Sequence, residues 1–387
     1  MRFLMYAHNT TGFGHVQRLS RIAAKIREVD PEASVMIATG ARRQLDSIVP
    51  EDIELVKLPG LKATLLAGRL ERIPGALNLP LSLVIGIRVA LLRAVLHSYD
   101  PDVFLVDHQP AGVAQELVAL INEASKKGRP RLVFGMRGFH QVDAGRKIFN
   151  SEVNALLLRT CYDKLLIYSD PKVVDVARLF TVQSDIAERL EYVGYVAPDP
   201  APPSSRPTRR GRKKGIHVLA IGGGGWLSEP VYRKVMDVSA LDREIDLRIV
   251  TGPYLDAESY ESLAGLPRRR CSIVEFTSDI QKEFAWADVI VCRAGYNTLA
   301  EVMAWGARAV CIPREIPDNE QLLHAKRLSQ MGVIQLVRED APAMDLLAAI
   351  RRSGNRALRA ETPALDGARN TAKLLALLGR SRGVTPQ

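Results

Sequence analysis

The sequence is poor in cysteine, and this shortage narrows the classes of protein to which it can belong. It has 4 cysteines in 387 residues and no Cys-x-x-Cys pair. Cys292 and Cys311 lie at the ends of apolar segments, as buried thiols do. The pattern argues against a disulfide framework and a cysteine-based zinc site, and it indicates a reducing compartment.

Long apolar runs are also missing. The longest, residues 79–87, is interrupted by Pro80 and Ser82 and is followed by Arg88, so we do not expect it to span a bilayer. Residues 1–7 are too short for the apolar core of a signal peptide and instead predict a first strand. These features predict a cytoplasmic protein.

The chain is long and carries a net positive charge. The chain has 387 residues and a formal net charge of +10, so we expect two domains and anionic partners such as nucleotides or phospholipid head groups. Part of the charge lies in the proline-rich, basic residues 197–215. That segment lacks aromatic side chains for stacking on bases, so it predicts a linker and no nucleic-acid partner.

Short apolar segments alternate with helical patterns in both halves of the chain. We expect strands at 3–7, 34–38, 103–106, 132–135 and 164–168, and then at 216–221, 247–250, 272–274, 289–292, 309–312 and 333–336. This alternation predicts an α/β fold with parallel sheets covered on both faces. The interpretation is two Rossmann-like domains, residues 1–196 and 216–365, that face each other across a cleft at the carboxyl ends of their strands.

The most informative segment is 288–321, where an apolar strand-like run ends in a polar turn that opens a helix. The turn contains Arg293, Gly295, Asn297 and Thr298. A strand, a small turn and a helix in this order are typical of an anion site, because the free N–H groups and the helix dipole point at the ligand.

Three further residues extend this anion site towards a nucleotide sugar. Glu301 falls one turn into the helix, where a carboxylate can accept two hydrogen bonds from a ribose diol. Glu320 and Gln321 follow the next strand and suit further hydroxyls, such as those of a sugar. The alternative is one βαβ unit of some other α/β protein.

The spacing of these residues resembles the donor signature of GT-B glycosyltransferases. The likeness is greatest to the family of bacterial enzymes that add N-acetylglucosamine to lipid-linked muramyl peptide, and it is densest over residues 271–333. In plant members a histidine opens the motif where Arg293 stands here. The resemblance implies that a helix at 368–378, within residues 366–387, packs back on the first domain. We expect the last residues, 381–387, to form a disordered tail.

The resemblance also assigns roles within the second half. The nucleobase would meet Phe276, Thr277 and Ile280. The loop that closes over the donor diphosphate would contain Gly223, Gly224 and Gly225. No Gly-Lys-Ser/Thr follows these glycines, so the loop is not a nucleoside-triphosphatase P-loop. A flexible turn is the alternative, although four successive glycines carry an ordering cost that a ligand could offset.

The first half offers a candidate base after its first strand. Gln17 stands where the dinucleotide fingerprint needs its third glycine, which disfavours a nicotinamide dehydrogenase. Gly14 and His15 open the first long helix, whose N-terminus should lower the pKa of the imidazole and keep it able to accept a proton. In the resembled family a histidine in this context deprotonates the acceptor hydroxyl; a capping or merely exposed histidine is the alternative. Asp107 would orient His15, or else cap the helix that follows it.

The acceptor side carries less signal. His140 and Gly14 are candidates because both lie near the same predicted sheet edge. Residues 59–80 form an apolar and basic loop that we interpret as packing on the core, with contact to an anionic membrane as the alternative.

Together these features predict an inverting glycosyltransferase that moves a sugar from a nucleoside-diphosphate sugar, with a UDP-sugar expected, to a hydroxyl or amine. The acceptor would be a small natural product or a lipid-linked sugar, and the enzyme could work at the inner face of the membrane. No cofactor or metal is expected, because no Asp-x-Asp motif follows a predicted strand. The alternatives are an epimerase or hydrolase of nucleotide sugars, or a non-catalytic protein that binds anionic ligands. The sequence indicates neither the sugar, the acceptor nor the oligomeric state.

Overall fold

A computed structural model describes ten segments of the chain, residues 1–8, 14–41, 45–66, 69–200, 215–225, 227–266, 270–277, 279–316, 319–355 and 361–381. The chain divides into two compact units. The first comprises Met1–Val196 and Pro363–Gln387, and the second comprises Ala197–Thr362. Most of the predicted linker 197–215 and nearly all of the predicted tail 381–387 lie outside the described residues.

The first unit contains a seven-stranded sheet. Its strands are β1 (Arg2–Ala7), β2 (Ser34–Thr39), β3 (Glu54–Lys57), β6 (Val103–Asp107), β7 (Arg131–Arg137), β8 (Lys164–Tyr168) and β9 (Leu190–Tyr192), and a separate antiparallel hairpin contains β4 (Leu61–Leu66) and β5 (Arg69–Pro74). Its first eight helices are α1 (Gly14–Val29), α2 (Leu45–Ile48), α3 (Leu81–Tyr99), α4 (Val118–Lys127), α5 (Val142–Asn150), α6 (Glu152–Thr160), α7 (Val176–Leu179) and α8 (Ser184–Ala187). The strand order is β3-β2-β1-β6-β7-β8-β9, and every neighbouring pair is parallel.

The second unit contains a six-stranded parallel sheet. Its strands are β10 (Ile216–Ile221), β11 (Ile245–Val250), β12 (Cys271–Val274), β13 (Val289–Cys292), β14 (Ala309–Cys311) and β15 (Gln335–Leu336), in the order β12-β11-β10-β13-β14-β15. Its helices are α9 (Glu229–Leu241), α10 (Ala257–Gly265), α11 (Ile280–Trp286), α12 (Tyr296–Trp305), α13 (Glu320–Gln330) and α14 (Ala343–Asn355). The last helix of the chain, α15 (Gly367–Arg380), belongs to the first unit and packs against α1.

Both sheets share the doubly wound strand order in which the first strand lies centrally and the chain reverses direction across the sheet. In the first unit the reversal falls between β1 and β6, and in the second it falls between β10 and β13. Ligands of such sheets bind beyond the carboxyl ends of the strands at the reversal. The predicted α/β fold with two Rossmann-like domains is therefore confirmed.

Burial explains why most strands could be recognised. The apolar side chains of β1, β6 and β13 are almost entirely inaccessible to solvent, as expected for parallel strands with helices on both faces. β3 and β9 escaped prediction because they are short and only partly buried. The hairpin β4–β5 also differs from the expected irregular loop over residues 59–80.

Helix α3 extends well beyond the apolar run at residues 79–87. By length and composition it could cross a membrane, whereas the apolar run 79–87 alone could not. Its buried residues recur at every fourth position, namely Val84, Arg88, Leu92 and Leu96. This spacing places one face of α3 in the core of the first unit and leaves the rest of its apolar surface, including Leu83, exposed.

Candidate functional site

The first unit brings His15 and Asp107 together at its strand reversal. β1 pairs with β6 so that Ala7 lies opposite Asp107, and α1 begins at Gly14 beyond the end of β1. The Nδ1 atom of His15 lies 2.5 Å from Oδ2 of Asp107. The predicted partnership of these residues is therefore present, and Asp107 has no role as a helix cap in this arrangement.

Arg18 completes this arrangement and was missed by the sequence analysis. Its guanidinium holds both carboxylate oxygens of Asp107, with Nη2 2.9 Å from Oδ1 and 2.6 Å from Oδ2. The same Nη2 lies 2.9 Å from Nδ1 of His15, one turn earlier on α1. A basic residue three positions after the histidine, within a helix face that is otherwise apolar, was the available signal.

The charges decide the protonation of this group. Burial raises the pKa of Asp107, but the Arg18 and His15 partners outweigh it and hold that pKa far below the usual value, so the carboxylate stays ionised. Burial lowers the pKa of His15; the Asp107 charge opposes this effect and the Arg18 charge adds to it. A carboxylate can only accept, so a neutral His15 donates its Nδ1–H to Asp107 and keeps a lone pair on Nε2. The His15 side chain is 17% exposed, so a ligand can reach it.

Three other imidazoles line this edge of the sheet. The ring centroids of His8 and His15 are 4.3 Å apart, those of His15 and His108 are 5.1 Å apart, and those of His108 and His140 are 4.7 Å apart. Burial lowers the pKa of His8 and His108 well below the usual value and that of His140 to about 3. The predicted acceptor-side residue His140 thus belongs to a row of neutral rings that continues to His15.

A buried ion pair supports this edge from behind. Arg88 of α3 holds both carboxylate oxygens of Glu116 at 2.6 Å, and the hydroxyl of Tyr6 donates to the same carboxylate. The backbone N–H of Val113 donates to the Tyr6 hydroxyl at 3.1 Å. The network fixes the segment that follows β6 against β1 and α3.

The second unit brings the predicted diphosphate residues together at its own strand reversal. β10 pairs with β13, and the glycine loop at 222–225 follows β10 while the turn to α12 follows β13. A Cβ atom added to Gly223 would lie 3.1 Å from the hydroxyl of Thr298, and one added to Gly295 would lie 3.9 Å from it. Gly295 is the N-cap of α12, and no described side chain caps that helix. Glycine backbone and a helix N-terminus thus share one location, as at anion sites.

The glycine loop is ordered by the protein itself. Gly223 and Gly225 have φ values of 65° and 94°, which favour glycine. The N–H of Tyr254 donates to the carbonyl of Gly224 at 2.8 Å, and the N–H of Gly225 donates to that of Gly222 at 3.2 Å. These hydrogen bonds and φ values define the shape of the loop, and its role towards a diphosphate stays a prediction.

Arg293 lies at the predicted turn between β13 and α12, but its side chain is engaged by other protein groups. Its side chain is 4% exposed, and the guanidinium donates to the carbonyl of Leu227 at 2.6 Å and to that of Ile312 at 3.3 Å, while it also pairs with Glu339. The guanidinium is therefore enclosed by protein groups behind the glycine loop. The predicted direct contact between Arg293 and a diphosphate stays a prediction.

The remaining predicted residues lie along the same carboxyl edge of the second sheet. Asn297 and Glu301 are in the first two turns of α12, Glu320 and Gln321 open α13, Phe276 and Thr277 follow β12, and Ile280 begins α11. The side chain of Gln321 accepts from the N–H of Arg314 at 3.1 Å, and Phe276 is 41% exposed. Their roles towards base, ribose and sugar stay predictions. Within the described segments, no group of three or more His, Cys, Asp or Glu residues could hold a metal ion.

Comparison with known proteins finds a family match in the second half of the chain. Residues 218–376 match the glycosyltransferase family 28 C-terminal domain. The UDP-N-acetylglucosamine--N-acetylmuramyl-(pentapeptide) pyrophosphoryl-undecaprenol N-acetylglucosamine transferase of Haemophilus influenzae (strain PittEE) is 31% identical over 130 residues, which are 33% of this chain and 36% of that protein. The chain thus spans about a third of the length of this relative.

Solved structures extend the likeness to the whole chain. The glycotransferase of kitacinnamycin superposes with a TM-score of 0.61 at 16% identity, covering 98% of this chain and 96% of the other. A putative UDP-N-acetylglucosamine 2-epimerase from Listeria monocytogenes gives a TM-score of 0.62 at 12% identity, covering 97% and 95%. At these identities the comparison shows the fold alone. The resemblance to GT-B glycosyltransferases is confirmed: residues 218–376 match the glycosyltransferase family 28 C-terminal domain, and the chain has the two Rossmann-like domains of the GT-B fold.

Proposed function

We propose that the protein is a glycosyltransferase that uses a nucleoside-diphosphate sugar, with a UDP-sugar as the expected donor. The observation that carries the proposal is the arrangement of His15, Asp107 and Arg18, in which a neutral imidazole lies beside a carboxylate that stays ionised. The family 28 match of residues 218–376 supports a nucleotide-sugar donor in the second unit. The named relative acts from UDP-N-acetylglucosamine on an undecaprenol-linked acceptor, so a lipid-linked sugar is the first acceptor to test.

His15 acts as the general base in this proposal. Its Nε2 accepts the proton of the acceptor hydroxyl as that oxygen attacks the anomeric carbon, and the bond from this carbon to the diphosphate oxygen breaks. The nucleoside diphosphate leaves with the electron pair, and the single displacement inverts the anomeric configuration. Asp107 stabilises the imidazolium that forms. Base assistance of this kind is worth roughly 10²–10⁴-fold in rate.

The second unit stabilises the leaving diphosphate. The N-terminus of α12, the hydroxyl of Thr298 and the backbone of Gly223 to Gly225 converge where negative charge develops. Phe276, Glu301 and Gln321 would contact the base, ribose and sugar. We propose that these groups replace a divalent cation and that transfer is independent of metal.

We further propose that the first unit rests on the inner face of an anionic membrane when it meets its acceptor. Leu77, Leu79, Leu83 and Leu91 are exposed on α3 or just before it, and Arg93 lies on the same helix. Apolar side chains with nearby basic residues suit the boundary between acyl chains and anionic head groups.

Binding of UDP tests the donor half of this proposal. UDP at a hundredfold excess over its dissociation constant should stabilise the wild-type protein by about 2.7 kcal/mol, which thermal denaturation would register. Absence of any shift with UDP or another nucleoside diphosphate would contradict the proposal.

Release of UDP from UDP-N-acetylglucosamine and other UDP-sugars then separates the related activities. UDP release that needs an acceptor indicates transfer, and release in water alone indicates a hydrolase. An epimerised product indicates an epimerase, an activity that shares this fold in the name of the Listeria monocytogenes structure. Binding without any turnover would indicate a non-catalytic protein.

A further inference from the structure

The segment 338–341, which follows β15, touches several parts of the candidate donor site. Glu339 pairs with Arg293, which in turn donates to the carbonyl of Leu227 at 2.6 Å, directly after the glycine loop. Arg338 of the same segment lies 3.2 Å from Glu315, in the loop between β14 and α13. Nothing in the sequence motif marks this segment as part of the site.

The backbone of this segment is fixed from the opposite side. Lys234 of α9 donates from Nζ to the carbonyls of Ala341 at 2.5 Å and of Glu339. One ammonium group thus binds successive carbonyls of the segment and leaves the Glu339 side chain directed at Arg293. The carboxylate is therefore placed before any ligand arrives.

The pairing matters because Arg293 is buried. A guanidinium out of contact with water needs a counter-charge, and Glu339 supplies the one that the structure shows. Leu227, whose carbonyl receives the other arm of the guanidinium, has a left-handed φ of 56°, a conformation that a leucine seldom adopts unaided. The Glu339–Arg293 pair thus holds the exit of the glycine loop in a strained shape.

We propose that Glu339 is a positioning residue for the donor: through Arg293 and Leu227 it holds the glycine loop in the shape that receives a diphosphate. This inference rests on the proposed function, since it assumes a nucleoside-diphosphate ligand at the loop. It gives Arg293 a role in donor binding without contact between its guanidinium and the phosphates.

Calorimetric titration with UDP and with uridine tests the inference. Glu339→Gln should raise the dissociation constant for UDP about tenfold while leaving that for uridine unchanged, because only the diphosphate depends on the loop. The control is Asp340→Asn, which removes the neighbouring carboxylate. Asp340 pairs with the exposed Arg338, so this variant should leave both constants unchanged. Equal losses for UDP and uridine would indicate general damage to the unit, and an unchanged or tighter UDP constant would refute the inference.

A second variant keeps the test decisive if Glu339→Gln does not fold. Arg293→Lys retains the positive charge beside Glu339 but cannot also reach Leu227 with a second arm, so it should show the same selective loss of UDP affinity. Wild-type protein that binds no UDP would remove the proposed function itself. Wild-type binding with equally tight binding by both variants would remove only the role of Glu339.

Discussion

His15 lies between an anion and a cation, and the balance between them sets its chemistry. Asp107 favours the imidazolium, whereas burial and Arg18 favour the neutral ring. The charged and titratable side chains described around His15 come from four elements. They are Asp107 and His108 at the end of β6, Arg18 on α1, His8 at the end of β1, and Arg137 and His140 at the end of β7. Because Arg18 balances the charge of Asp107, the imidazole of His15 is neutral before it reacts. Asp107 still stabilises the imidazolium that forms when His15 accepts a proton.

Removal of the Arg18 charge should raise the pKa of His15. In Arg18→Gln the buried Asp107 carboxylate faces the imidazole without the Arg18 charge, and Arg137 is the cation that still opposes it, so the protonated ring gains stability. The wild-type base should be active above its lowered pKa and lose activity as the pH falls through it; in the variant this loss should begin at higher pH.

NMR titration of the imidazole nitrogens measures this shift directly and needs no acceptor. The resonances of the exposed His97, which pairs with Glu123, serve as the internal reference. A His15 pKa that stays constant or falls in the variant would show that Arg18 does not tune the base.

The two central residue pairs also show where sequence reasoning ends. His15 could be identified because a Gly-His turn after a strand is a local pattern. Arg18 and Asp107 are 89 positions apart, and Arg293 and Glu339 are 46 positions apart, so each contact depends on strand order. Arg293 is predicted to meet the diphosphate because its neighbours in sequence are anion-site residues, whereas in the structure its guanidinium pairs with the partly exposed carboxylate of Glu339, which follows β15 at the edge of the sheet.

At the scale of elements, burial decides what a sequence can predict. Strands buried on both faces are continuous apolar runs between polar turns, and their positions in both sheets follow from that pattern. The hairpin β4–β5 mixes apolar and charged residues and packs outside the seven-stranded sheet, so no burial pattern identifies it. The apolar run 79–87 shows only the start of helix α3, because Pro80 and Ser82 interrupt the run and Arg88 ends it; Pro80 is the N-cap of the helix.

The glycine loop provides an element-scale test through Gly225. Its φ of 94° and the overlap of an added Cβ with the carbonyl oxygen of Thr251 both oppose any side chain. Gly225→Ala should therefore destabilise the second unit by about 1–3 kcal/mol and weaken UDP binding.

A glycine in open space gives the matched control. Gly86 lies within α3 with nothing within 4 Å of an added Cβ, so Gly86→Ala should stabilise the protein by about 0.5–1 kcal/mol. Denaturant unfolding of both variants, with UDP titration of each, measures the contrast. Equal stability changes in the two variants would mean that the loop does not need its glycine conformation.

At the scale of the whole molecule, two features point to an anionic surface as the place of action. The net charge of +10 raises the local concentration of the protein near anionic lipid, and the exposed leucines of α3 give it apolar area to insert. Arg88 and its partner Glu116 keep the opposite face of α3 in the core, so the helix is suited to lie on a membrane with the first unit still folded.

Vesicle sedimentation should resolve this role. Wild-type protein should bind vesicles that contain anionic phospholipid more strongly than neutral ones, and binding should weaken as salt increases because head-group attraction is screened. Leu83→Gln combined with Leu91→Gln should reduce binding severalfold, since the two leucines are 50% and 38% exposed and would lose their apolar contact. Leu377→Gln on α15, at a site 68% exposed, changes the surface elsewhere and should leave binding unaltered. If the double variant binds as well as the wild type, net charge alone attracts the protein to lipid and α3 is not the contact.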